Sequence, residues 1–130
     1  MKVLKAPWVQ ENQNVIENAL IIPKSLSVSR EDFETISFDT NEDGVVEWKS
    51  RMQLTCFLEV YPDQECFEKR VFPVAIFKKV VNSTVEDFNK LESRDYFITV
   101  LQSLINEKIN NTQDFSTGIL VDIEIKTYEF

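Results

Sequence analysis

The 130-residue chain predicts a single α+β domain: an antiparallel sheet of four or five strands, two helices from the C-terminal half packed on one face, and a final C-terminal strand. Three observations predict it. Alternation of apolar and polar residues is clear at positions 46–60, helical spacing takes over after Val81, and alternation returns near the C-terminus. With 43% hydrophobic residues, ten of them Phe, the chain can fill one core and is too short for two.

The first 25 residues are ambiguous, because Val15, Ile16, Ala19 and Leu20 have helical spacing and Pro23 cuts the run short. A strand is expected from Phe33 to Thr40 through Ile36 and Phe38, with an earlier one beginning at residues 26–28. Asn41-Glu42-Asp43-Gly44 supplies the turn into the longest strand, residues 46–60. There Val46, Trp48, Met52, Leu54, Cys56, Leu58 and Val60 share one parity, and Glu47, Lys49, Arg51, Gln53, Thr55 and Glu59 the other.

Tyr61-Pro62-Asp63-Gln64 then reads as a hairpin turn, with a returning strand from about Cys66. That register pairs Cys56 with Lys69 and Cys66 with Glu59, which leaves the two thiols apart. The returning stretch is apolar on both parities, so both its faces need cover, and Pro73 demands a bulge or an edge position. Ser83-Thr84-Val85-Glu86 matches a capping box ahead of a short helix with Val85, Phe88 and Leu91 on one face. From Arg94 to about Ile109, Phe97, Val100, Leu101, Leu104 and Ile105 form the apolar stripe of a second helix, which Ser93 can cap. Ile119, Val121, Ile123 and Ile125 alternate against Leu120, Asp122, Glu124 and Lys126 in a last half-buried strand.

Composition removes many functions. The chain has no His, so histidine-based triads and zinc hydrolases are excluded. Two glycines, Gly44 and Gly118, cannot build a phosphate-cradling loop. A net charge of −8 disfavours nucleic acid and anionic lipid as direct partners and favours a basic protein. No apolar run approaches the ~20 residues of a membrane span, and no secretory signal is visible, which reads as cytoplasmic.

Asp39 to Glu47 resembles the first nine positions of an EF-hand calcium loop, but Ser50 stands where a bidentate Glu should close the sphere and strand periodicity runs through it. No metal and no cofactor are expected. Cys56 lies on the buried parity without a base, which makes it an inert core thiol. Asp122 and Glu124 share a strand face, yet nothing supplies the apolar pocket that would separate their pKa values. The chain is therefore not expected to be an enzyme.

Acidity is uneven. Residues 1–68 hold 13 acids and 6 bases, a net −7, whereas residues 69–130 hold 9 acids and 8 bases. Against plain solvation, the functional reading is a negative patch that steers a basic partner, formed by Glu31, Asp32, Glu34, Asp39, Glu42, Asp43 and Glu47. Phe57, Tyr61, Leu120, Tyr128 and Phe130 fall on nominally polar parities and hint at an apolar contact surface; Phe57 and Tyr61, which lie within the acidic half, join the carboxylates as expected partner-binding residues.

The leading expectation is a small acidic cytosolic inhibitor or immunity protein that neutralises a basic partner such as a toxin nuclease; a phage-type inhibitor that mimics nucleic acid has the same features. Over residues 48–110 the order of long strand, second strand and helix is similar to bacterial export chaperones of the SecB type, which implies an acidic, cofactor-free chaperone that binds unfolded clients. The proline-flanked aromatic motif opening the helix in that family is missing at Asp95-Tyr96-Phe97. A homodimer fits the uncovered sheet face, and a small-ligand domain with a Phe-lined pocket is the third class.

Overall fold

The computed structural model describes residues 1–37, 44–106 and 112–124. The strands are β1 (Lys2–Val9), β2 (Val15–Ser37), β3 (Val45–Tyr61), β4 (Ala75–Thr84) and β5 (Ile119–Asp122); the helices are α1 (Gln64–Glu68), α2 (Val85–Asn89) and α3 (Tyr96–Asn106). All five strands form one antiparallel sheet in the order β4-β3-β2-β1-β5. The predicted α+β architecture is what the chain adopts.

The sheet's inner face is the one α3 covers. Leu4, Ala6, Ala19, Ile21, Leu54, Cys56, Leu58 and Val60 from the strands bury against Val100, Leu101 and Leu104 of the helix. Each fully buried Leu or Val contributes ~1.5–3 kcal/mol over its exposed state. Trp8, Phe77 and Phe115 stack on one another at 5.6–6.2 Å and close one end of this layer. On the outer face Val3, Leu20, Ile22, Tyr61 and Ile123 make a smaller cluster, roofed by Cys66 and Phe67 of α1.

Several expectations change. Residues 1–25 form β1 and the start of β2, because Ala19 to Ile22 is buried on both parities and a central strand satisfies that run where a one-sided helix cannot. Pro23 stands where β2 takes one extra residue against β3, the register moving between Pro23/Leu58 and Ser25/Phe57.

No tight turn follows β3. The Asp63 carboxylate accepts the Cys66 N–H at 2.8 Å and caps α1, so the turn residues start a helix instead. The return strand begins only at Ala75, and Cys56 stands opposite Lys79, ten residues beyond the Lys69 of the hairpin register. Cys56 belongs to the inner core and Cys66 to the outer cluster, on opposite sides of the sheet. Pro73 lies two residues ahead of β4, an edge strand, and Val71, Phe72 and Val74 around it are outside the strand and exposed.

The short helix is capped one position later than expected, by the Thr84 hydroxyl accepting from the Asp87 N–H at 3.1 Å. The second helix starts at Tyr96 after a 3-10 turn over Ser93–Asp95 that has no side-chain cap, and it is described to Asn106. In β5 and just after it, Val121 and Ile123 of the predicted apolar parity pack on the outer cluster while Asp122 and Glu124 are exposed, as expected; Ile119 is exposed instead of buried, and Leu120 packs partly buried against the inner core.

Candidate functional site

β4 pairs with β3 only as far as Thr84, opposite Arg51. Beyond that line β2 and β3 continue alone, as a two-stranded arm of residues 32–37 and 45–50 that is ~20 Å long at the usual strand rise. In sequence, residues 32–50 hold six acids and one base, −5 of the net −8; the described arm strands carry Asp32, Glu34, Glu47 and Lys49 of these, a net −2.

Alternation divides the predicted acids between two faces. Asp32 and Glu34 stand on the inner side, in register with Ser50 and Trp48; Glu31 and Glu47 stand on the outer side, in register with Arg51 and Thr35. Arg51 reaches Glu31 at 2.6 Å and lies 5.5 Å from the centre of the Phe33 ring. Asp32 accepts from the Ser50 hydroxyl and from Arg30 at 3.1 Å, which lowers its pKa below the usual carboxylate value. Among the described residues Glu34 and Glu47 have no ion pair, so they present charge that no cation of the arm offsets. Asp39, Glu42 and Asp43 lie outside the described residues, as do Tyr128 and Phe130.

Tyr61 is a correction: it is 5% exposed, edge-on to Phe67 at 5.3 Å, and donates its hydroxyl to Glu59 at 2.9 Å. Its parity is that of the outer face, but α1 roofs that end of the sheet. Burial and the adjacent carboxylate push its pKa up to about 12. Phe57 is half-exposed on the outer face as expected, and its neighbours were not foreseen. Glu59 faces Ile76, Phe57 faces Lys78 and Thr55 faces Val80, so Ile76, Phe57 and Val80 form an uncovered diagonal across β3 and β4. Phe72, 95% exposed, lies ahead of β4. Trp48, on the parity that is buried lower in β3, is 74% exposed on the arm.

Among the described residues, the two thiols have raised pKa values. Burial raises the Cys56 thiol to about 11, and Asp63 and burial raise that of Cys66, so both hold their protons at neutral pH. Asp122 is bound to Lys2 at 2.6 Å, which lowers its pKa. No cluster of three or more metal-binding side chains occurs among the described residues; of the calcium-like loop, Asp39 to Asp43 lies outside them, and Trp48 to Val60, where an EF-hand places a helix, is β3. No described helix is long and apolar enough to cross a membrane.

Compared with family models, curated proteins and solved structures, the chain matches none of them.

Proposed function

We propose that this chain is a non-enzymatic protein-binding module that occupies a basic protein partner, in the manner of a small cytosolic inhibitor or immunity protein set against a toxin nuclease. The observation that supports it is the arm, which extends beyond the end of β4 and belongs to the sequence stretch 32–50 that holds −5 of the net −8. A projecting acidic element enters a basic cleft without deforming the body that holds it, and its uncompensated carboxylates accelerate encounter.

The test is affinity capture followed by association kinetics, with a Glu34→Lys/Glu47→Lys variant as the comparison. The expected result is one basic partner, with association slowed and its salt dependence reduced in the variant. An acidic partner, or unaltered rates at low salt, overturns the reading. A second reading has one observation in its favour: the exposed diagonal of Ile76, Phe57 and Val80 suits an acidic chaperone, for which capture returns many unfolded clients.

A further inference from the structure

Among the described residues the sheet has four stretches of open edge, and they differ. Above Arg51, where β4 has ended, β3 offers six residues, 45–50, with Lys49 among them. β5 offers four residues. β4 offers ten but sets Lys78 and Lys79 at its middle, the arrangement by which edge strands repel unwanted pairing. The fourth and longest edge belongs to β2: β1 reaches only to Leu4 opposite Ile21, so from Lys24 to Ser37 β2 has a strand neighbour on one side alone among the described residues. These fourteen positions hold no lysine after Lys24; Arg30 is engaged with Asp32 and Ser50, small serines occupy 25, 27 and 29, and Glu31, Asp32 and Glu34 follow.

The ladder fixes which main-chain groups this edge presents. Met1 and Ile123 exchange both main-chain bonds, at 3.0 and 3.1 Å. Alternation from that pair turns Leu4 towards Ile21, Leu20 towards Tyr61, and the odd residues of β3 towards β2. Ser25, Ser27, Ser29, Glu31, Phe33 and Thr35 therefore bond to β3. Leu26, Val28, Arg30, Asp32, Glu34 and Ile36 direct N–H and C=O outward, a template for a strand of about eleven residues.

We propose that this edge takes up its partner by strand addition, pairing with an extended segment rich in lysine or arginine. The inference rests on the binding role argued above and specifies how the same arm is used: main-chain bonds supply affinity, and Glu31, Asp32 and Glu34 beside the new strand select cations.

Amide exchange measured by NMR on the full chain tests it, using a ten-residue alternating Lys-Val peptide as the probe at low salt. In the free chain the amides of Val28, Arg30, Asp32, Glu34 and Ile36 should exchange faster than those of Ser27, Ser29, Glu31, Phe33 and Thr35. Saturation with the peptide should slow the first set at least tenfold. Glu34→Pro removes one outward N–H and spares the β3 ladder; it should weaken peptide binding tenfold or more, against a few-fold for Glu34→Gln. Equal loss in the two variants, outward amides that stay fast with peptide bound, or no peptide binding at all overturns strand addition. The acidic-arm reading is judged separately, by whether Glu34→Lys/Glu47→Lys changes association with the captured partner. The exchange pattern of the unaltered chain decides the matter even where Glu34→Pro perturbs the arm.

Discussion

The two halves of β3 share one alternation and have opposite surroundings. In the lower half Leu54, Cys56, Leu58 and Val60 are fully buried beneath α3; in the upper half Trp48, on the same parity, faces solvent. Periodicity therefore establishes which side chains share a face, while the reach of the neighbouring elements establishes whether that face is covered. β4 ends before the arm begins, so an alternation that builds a core below leaves an exposed face above.

Stability should be lopsided in the same way. Leu58→Ala, in the covered half, should cost ~2–5 kcal/mol in urea unfolding, because it removes a fully buried side chain and leaves a cavity. Ile36→Ala on the arm should fall within about 0.5 kcal/mol. Comparable losses at both positions would mean that the arm is packed in solution, and the contrast would fail.

A second variant tests the closeness of packing in the covered half. A Cβ on Gly118 would lie 2.8 Å from Leu4 Cδ1, 2.9 Å from the Phe115 carbonyl oxygen and 3.0 Å from Ala6 Cβ. The backbone contact cannot yield as a side-chain tip can. Gly118→Ala should therefore destabilise by ~1–3 kcal/mol, measured by the same unfolding curve.

Alkaline pH should act on the covered region too. Cys56 titrates near 11 and Tyr61 near 12 in the folded chain, above their ordinary values near 9 and 10. Between those limits the unfolded chain has lost protons that the folded chain keeps, so stability falls as pH rises from about 9 towards 12. Thermal unfolding across that range should record the fall, and Cys56→Ala should reduce its part between about pH 9 and 11. In alkylation at pH 8, Cys66 at the α1 surface should react before Cys56.

Much of this architecture was legible in the sequence because its signals are local. The parity of β3, the apolar stripe Val100, Leu101 and Leu104, and the helix after Val81 all follow from side chains a few residues apart. The failures depend on distant partners. Asp63 satisfies turn chemistry and helix capping equally well, and only the α1 roof over Tyr61 decides between them. Residues 19–22 fit a helix until strands lie on both sides of them. For the candidate site, the acids were visible as residues but not their division between two faces or the pairing of Glu31 with Arg51, which need the β2–β3 register. The sequence places Ile76 in a strand covered on both faces, but α1 roofs only the Tyr61 end of the outer face, so Ile76 and Val80 are left exposed.

The smallest expected effect is spectroscopic and probes the comparison with least disturbance, since each region holds one of the chain's two tryptophans. Trp8 stacks on Phe77 and Phe115 at 5.6 and 6.2 Å, whereas Trp48 is 74% exposed. Trp48→Phe should leave the unfolding midpoint unchanged and retain only the blue-shifted, poorly quenched emission of Trp8. Trp8→Phe should retain red-shifted emission that acrylamide quenches readily. If Trp48 in the unaltered chain resists acrylamide, something covers the arm. Resistance that grows with protein concentration would identify the cover as a second copy, and the uncovered half of β3 would then be half of a homodimer interface rather than a surface held open for a basic partner.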